Sequence, residues 1–383
     1  MAIHFTRDEF AERKQKTLAL MQKSGIDALL MFRQESMFWL TGYDTFGFCF
    51  FQCLVLDSNG DITLITRAPD LRQAKNTSII EDIRIWVDRD GATPADDLRA
   101  LCEEKKLGGK TLGIEYEAYG LTARNGKRVD AALDGFATLV DASDLVSELR
   151  LIKSEAELAY VRTAAELGDQ ALEEAQRLTG PGVDEGEILA AMQGAVFKGG
   201  GDYLGNEFII GSGEDALLCR YFTGRKTLKE QDQLTLEFGG AYRHYHACLM
   251  RTIPVGPVPN HQKHMFNACA AALEACKEAL KPGDPIGNVF DAHARVMDEH
   301  GLKHARLNAC GYSLGAVFAP IWMDYPMFYH GNPVIAQPNM VFFLHMILMD
   351  SEAGQAMTLG ETVIVKDGAP ERLSRMPLEL VTR

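Results

Sequence analysis

Leu234-Thr-Leu-Glu237-Phe-Gly239-Gly240-Ala-Tyr242-Arg243-His244-Tyr-His246-Ala-Cys248-Leu-Met-Arg251-Thr252 is the stretch on which the fold turns. Leu234 to Phe238 and Tyr242 to Val255 are rich in apolar and β-branched residues and read as strands. Gly239-Gly240 between them is a turn signal, so the two strands are expected to form a hairpin. One carboxylate, Glu237, interrupts an otherwise apolar strand. Burying it unpaired is costly, which points to a functional or ion-paired role.

Upstream of this hairpin the pattern is helical. Glu148-Leu-Arg-Leu-Ile-Lys153-Ser154-Glu-Ala-Glu157 opens a long helix, with Ser154 as N-cap and Glu157 completing a capping box. A domain boundary fits there, giving domains at residues 1–150 and 151–383. Asp169 to Gly199 stays helical apart from Gly180-Pro-Gly. Downstream, the helix His261 to Leu280 stops at Lys281-Pro-Gly-Asp, and Met340 to Met349 and Thr362 to Lys366 are two more strands. The second domain thus reads as α+β, with helices grouped on an antiparallel sheet. In the first 150 residues an amphipathic helix near Phe10 to Lys23 precedes strands at Asp27 to Phe32, Cys53 to Asp57, Asp61 to Thr66, Ile83 to Val87 and Thr111 to Ile114. This alternation reads as an α/β domain with a mixed sheet.

Composition excludes several classes of function. The 383 residues are 46% hydrophobic and 24% charged, ordinary for a globular protein of two domains. The net charge of -14, with Lys and Arg scattered, argues against nucleic acid and anionic membranes as partners. No apolar run reaches the roughly 20 residues of a membrane span. The polar start MAIHFTRDEFAERKQ lacks a secretory pattern, and the eight cysteines lack zinc-ribbon or disulfide spacing. Free thiols in a cytoplasmic protein are the expectation.

Several short motifs, in order along nearly the whole chain, resemble the M24 superfamily of creatinase, aminopeptidase P and prolidase. They are Leu40-Thr41-Gly42-Tyr43, Leu149-Arg150-Leu-Ile-Lys153-Ser154, Arg251-Thr252, Pro282-Gly283, Gly311-Tyr312-Ser313-Leu314-Gly315 and Asn339-Met340-Val341-Phe342. The resemblance implies a creatinase/prolidase-like N-terminal domain followed by a pita-bread domain enclosing a pocket. It also implies a homodimer in which Trp39, Tyr43, Phe46 or Phe48 lines a neighbour's site. The alternative is that these aromatics are core residues of their own domain.

In metal-dependent members, two hairpin carboxylates, a histidine and two late glutamates hold two divalent ions that activate water. The resemblance places Glu237 at the first hairpin position, Cys248 at the second and Tyr312 where the histidine belongs. His345 replaces the glutamate after the Met-Val-Phe strand, and Glu361 lies near the last one. Arg220, in Leu218-Cys219-Arg220-Tyr221, stands in for a further histidine. Hard divalent ions prefer oxygen-rich sites, so a metal pair is disfavoured and no cofactor is expected. A single ion held by Glu237, His246, Cys248, His345 and Glu361 is the alternative if those side chains converge.

The resemblance is nearer to creatinase and ectoine hydrolase, which dispense with metal. It therefore implies a hydrolase of a C–N bond in a small amidine, guanidino acid or amide. A cationic amidine wants a carboxylate and its own carboxylate wants an arginine, roles that suit Glu237 and Arg220. His246 and His345 are candidate bases, and Tyr312 a candidate donor to the developing oxyanion. Cys248, Glu361 and Tyr43 complete the expected lining, with Cys248 also a possible nucleophile. An Xaa-Pro peptidase with an altered metal site and a catalytically silent binding module are the competing readings.

Overall fold

The computed structural model describes residues 3–91, 93–220 and 224–383, so Tyr221 of the Leu218-to-Tyr221 motif lies outside the described residues. By internal contacts the chain divides into two compact units, residues 1–150 and 151–383.

The first unit runs α1 (Arg7–Lys23), β1 (Ala28–Met31), α2 (Gln34–Thr41), β2 (Cys53–Asp57), β3 (Ile62–Thr66), α3 (Asp70–Thr77), β4 (Asp82–Ile85), α4 (Pro94–Glu104), β5 (Thr111–Ile114), α5 (Ala123–Leu133), β6 (Thr138–Asp141) and α6 (Leu145–Arg150). Its sheet has the order β4-β3-β2-β1-β5-β6. It is mixed, because β2 is antiparallel to β1 and β3 while β1, β5 and β6 run parallel. Alternate residues of β1 feed separate cores: Ala28 and Leu30 one, Leu29 and Met31 the other. Trp39, Tyr43 and Phe48 are buried within this unit, whereas Phe46 is 80% exposed. The Tyr43 hydroxyl lies 3.1 Å from Gln52 Oε1 and is spent inside the core.

The second unit runs α7 (Glu155–Leu178), α8 (Glu185–Lys198), β7 (Ile209–Ser212), β8 (Asp232–Tyr242), β9 (Tyr245–Val255), α9 (Asn260–Ala279), α10 (Gly287–Glu299), β10 (Gly311–Ser313), β11 (Asp324–Met327), β12 (Val341–Asp350), β13 (Gln355–Ile364) and β14 (Glu371–Arg372). Ser154 caps α7 by accepting from Glu157 N–H, and the Glu157 carboxylate accepts from Ser154 N–H, the two halves of a capping box. The strands form one antiparallel sheet in the order β11-β10-β12-β13-β9-β8-β7, with β14 on β13. No helix among the described residues is long and apolar enough to cross a membrane.

The hairpin differs from its sequence reading in one instructive way. Strand β8 continues through Gly239-Gly240, and the turn falls at Arg243-His244, both in the left-handed region with φ of 50° and 65°. The glycines serve another purpose, the close approach of α7. A Cβ on Gly240 would stand 2.0 Å from Ala164 O and 2.8 Å from Gly168 N. Strand β13 likewise begins seven residues before the expected Thr362. Its polar Thr358 belongs to a buried ladder in which hydroxyls of Thr235 and Thr252, and of Thr252 and Thr358, lie 3.1 and 3.0 Å apart.

A Gly240→Ala substitution should therefore destabilise the protein by about 1–3 kcal/mol, the usual cost of forcing atoms into a packed interior. Gly194 in α8 has open space at its Cβ position, so Gly194→Ala should stabilise by up to about 1 kcal/mol through helix propensity. Denaturant midpoints of the two variants should move in opposite directions, and a common direction would contradict this account of the Gly240 contact.

Candidate active site

Because side chains alternate across a strand, the pairing register decides which residues share the face opposite the helices. Across the sheet the row reads Ile209 on β7, Glu237 on β8, Met250 on β9, Gly360 on β13 and His345 on β12. Tyr312 on β10 joins this face opposite Phe343, a strand neighbour of His345. Leu344, Met346 and Leu348, one step out of phase, fill the core under α9 and α10.

A cavity of about 160 Å3 opens over this row. Its polar lining is Glu237, Tyr312, His345, Arg220, Cys219 and Asn206, and its apolar walls include Ile209, Ile347, Trp322 and Met327. Tyr312 donates its hydroxyl proton to Glu237 Oε1 at 3.1 Å, and its oxygen accepts the indole N–H of Trp322 at 2.8 Å. Donation from Trp322 polarises the phenol and strengthens its bond to Glu237. The Tyr312 and His345 rings lie 5.5 Å apart.

Burial controls the protonation of each group. It pushes the Glu237 carboxyl up to about 7, against the opposing pull of the Tyr312 bond and the Arg220 charge. It holds His345 down to about 3, with the charges of His293 and Arg220 acting in the same direction. His345 is thus a neutral imidazole, and its Nδ1 is buried without a hydrogen-bond partner among the described residues. Burial, with the Glu237 charge adding to it, raises the thiols of Cys219 and Cys248, and the Tyr312 hydroxyl is raised the same way. Neither cysteine is an activated thiolate.

Of the residues singled out in the sequence, Glu237, Tyr312, His345 and Arg220 come together in this cavity; Arg220 is at its exposed edge. The others stand elsewhere. His246 shares the sheet face, but both ring nitrogens are engaged, Nδ1 with His244 O at 2.8 Å and Nε2 with Gly205 N–H at 2.9 Å. Cys248 shares the sheet face of Glu237 by register but does not line the cavity, and its backbone N–H and carbonyl are both bonded to the Thr362 hydroxyl. Glu361 pairs with Leu344 and so points to the helix side, where its oxygens lie 2.6 Å from Lys277 Nζ and 2.5 Å from Arg372 Nε. The position beside His345 belongs to Gly360 instead. Tyr43 belongs to the core of the first unit. Sequence reading missed Trp322, Cys219 and Asn206 as lining residues, and only the tryptophan, set in a loop after Ala319-Pro320, carried a visible signal.

Residues 159–367 match the family described as metallopeptidase family M24, and residues 13–152 match the creatinase/prolidase N-terminal domain. The chain belongs to family M24. This M24 hydrolase is 28% identical to an uncharacterised hydrolase/peptidase of Sinorhizobium fredii, over 100% of this chain and 99% of that protein. It is 26% identical to the ectoine hydrolase of Halomonas elongata, with the same coverage of both chains. The solved Xaa-Pro dipeptidase from Bacillus anthracis superposes with a TM-score of 0.85 at 20% identity, over 98% of this chain and 100% of the other. The fold is therefore the creatinase-type N-terminal domain followed by the pita-bread domain.

The metal pair that the M24 resemblance implies finds a poor match in these donors. Two hard cations need several carboxylates, yet the row over the sheet supplies a single one, Glu237, flanked by Ile209 and Met250. Among the described residues no three His, Cys, Asp or Glu side chains are arranged to hold a metal ion. The donor set of this M24 protein does not fit a pair of divalent cations.

A carboxyl raised from 4.5 to about 7 also leaves a mark on stability. Between those values the folded state holds a proton that the unfolded chain has released, so stability falls as pH rises. The loss is complete above the folded value and amounts to about 3 kcal/mol. Glu237→Gln should accordingly be more stable than the parent at pH 8, with the gap closing toward pH 5. Parallel stability curves for the two proteins across that range would sink this assignment.

Proposed function

We propose that the protein hydrolyses a C–N bond in a small nitrogen-containing compound of amidine, guanidino or amide type, without a metal ion. The observation carrying this reading is the single carboxyl of Glu237, buried, raised to about 7 and fixed on one oxygen by the Tyr312–Trp322 pair. A base with a pKa near the working pH is what activation of water requires when no metal supplies the acidity. Tyr312 occupies Oε1, so Oε2 is the oxygen that takes the proton from water and returns it to the leaving nitrogen.

His345, neutral at working pH, contributes an acceptor or donor to the substrate rather than a charge. Arg220 at the edge pairs with a substrate carboxylate. A cavity of about 160 Å3 suits a compact solute better than an extended peptide. The 26% identity over the whole chain to an ectoine hydrolase supports the same substrate class. Likeness to solved Xaa-Pro dipeptidases supports the fold alone.

The test is hydrolysis of ectoine, creatine and Gly-Pro by protein purified without added metal, with and without chelator. The expected result is turnover of an amidine, guanidino or amide compound that is indifferent to chelator and falls by roughly 10²-fold or more in Glu237→Gln. Chelator-sensitive cleavage of Gly-Pro would overturn the proposal, and so would inactivity toward every such small compound.

A further inference from the structure

His246 is fully buried on the cavity face of the sheet, two residues from Cys248, yet it does not line the cavity. Its surroundings fix its tautomer. The carbonyl of His244 can only accept, so Nδ1 carries the proton, and Nε2 is left with the lone pair that accepts Gly205 N–H. Burial holds the imidazole down to about 4, which keeps that lone pair available at ordinary pH.

The bond to Gly205 begins a continuous chain. Gly205 packs so closely on the next segment that a Cβ there would stand 2.8 Å from Ile321 C and 2.9 Å from Trp322 N. Its neighbour Asn206 accepts Trp322 N–H on Oδ1 at 3.0 Å. Trp322 in turn donates to Tyr312, and Tyr312 to Glu237. The backbone N–H of His246 also donates to Gly315 O, at 3.2 Å, steadying the chain beyond Tyr312.

We propose that His246 is a positioning residue of the site: through Gly205 and Asn206 it sets Trp322 against Tyr312, and so fixes the hydrogen bond that Tyr312 gives to Glu237. It never touches the substrate and never exchanges a proton in the reaction. The inference builds on the reading of Glu237 as the reacting carboxyl. Its test is independent of any substrate, so a failure to find hydrolysis and a failure of this link are separate results.

Infrared titration of the Glu237 carboxyl, taken as the difference between each protein and its Glu237→Gln counterpart, reads the effect directly. The parent should titrate near 7. His246→Asn keeps a group near the Nδ1 position but cannot reach Gly205, and the midpoint should rise by about one unit as the Tyr312 bond, which favours the carboxylate, loosens. His246→Gln carries a side-chain carbonyl as far as Nε2 and should restore the parent midpoint. Asn206→Ala breaks the next link without touching the buried histidine, and should raise the midpoint in the same way whether or not His246→Asn folds. An unchanged midpoint in Asn206→Ala, or in a folded His246→Asn, would overturn the proposal.

Discussion

The site depends on one constraint, the burial of the Glu237 carboxyl in the middle of an apolar strand. Water is mostly excluded there, Ile209 and Met250 flank it across the sheet, and among the described residues the only side chain that hydrogen-bonds it is Tyr312. Charge on that carboxyl is therefore expensive, and its pKa rises toward neutrality. Glu361, by contrast, is met by two cationic side chains, Lys277 and Arg372. The two glutamates lie in the same sheet on opposite faces, and the difference in their roles follows from which face each was given.

Much of this architecture was legible in the sequence because it is written in local signals. The Ser154 capping box and the stop at Lys281-Pro-Gly correspond to elements with near-matching ends, and the apolar strands around Glu237 are both present, although the first runs on past the expected Phe238 to Tyr242. The order of the motifs was enough to name the M24 superfamily. What failed were signals with two physical meanings. Gly239-Gly240 reads as a turn, but glycine also permits close approach of another backbone, and here α7 uses it.

The site was only partly legible, for a related reason. Glu237, Tyr312 and His345 sit on strands whose register the apolar pattern pins, and they converge. Glu361 is one residue out of phase with the cavity, and in a strand one residue is the whole difference between pocket and core. His246 is in phase with Glu237, but the loop bearing Gly205 covers it, a tertiary contact that no spacing announces. Trp322, Cys219 and Asn206 come from loops, where position is set by packing rather than by period.

Taken together, a fold shared with metallopeptidases carries here a cavity with one titrating carboxyl, a neutral imidazole, a polarised phenol and a guanidinium at its edge. In the proposed function these groups bind and hydrolyse a small polar solute by proton transfer and hydrogen bonding, and as donors they are a poor cage for two cations. Calorimetric titration of the purified protein with Mn2+ and Co2+, set beside the same titration of Glu237→Gln, tests that claim most directly. The account predicts no stoichiometric binding that depends on Glu237. Uptake of two ions per chain that disappears in the Glu237→Gln variant would contradict it.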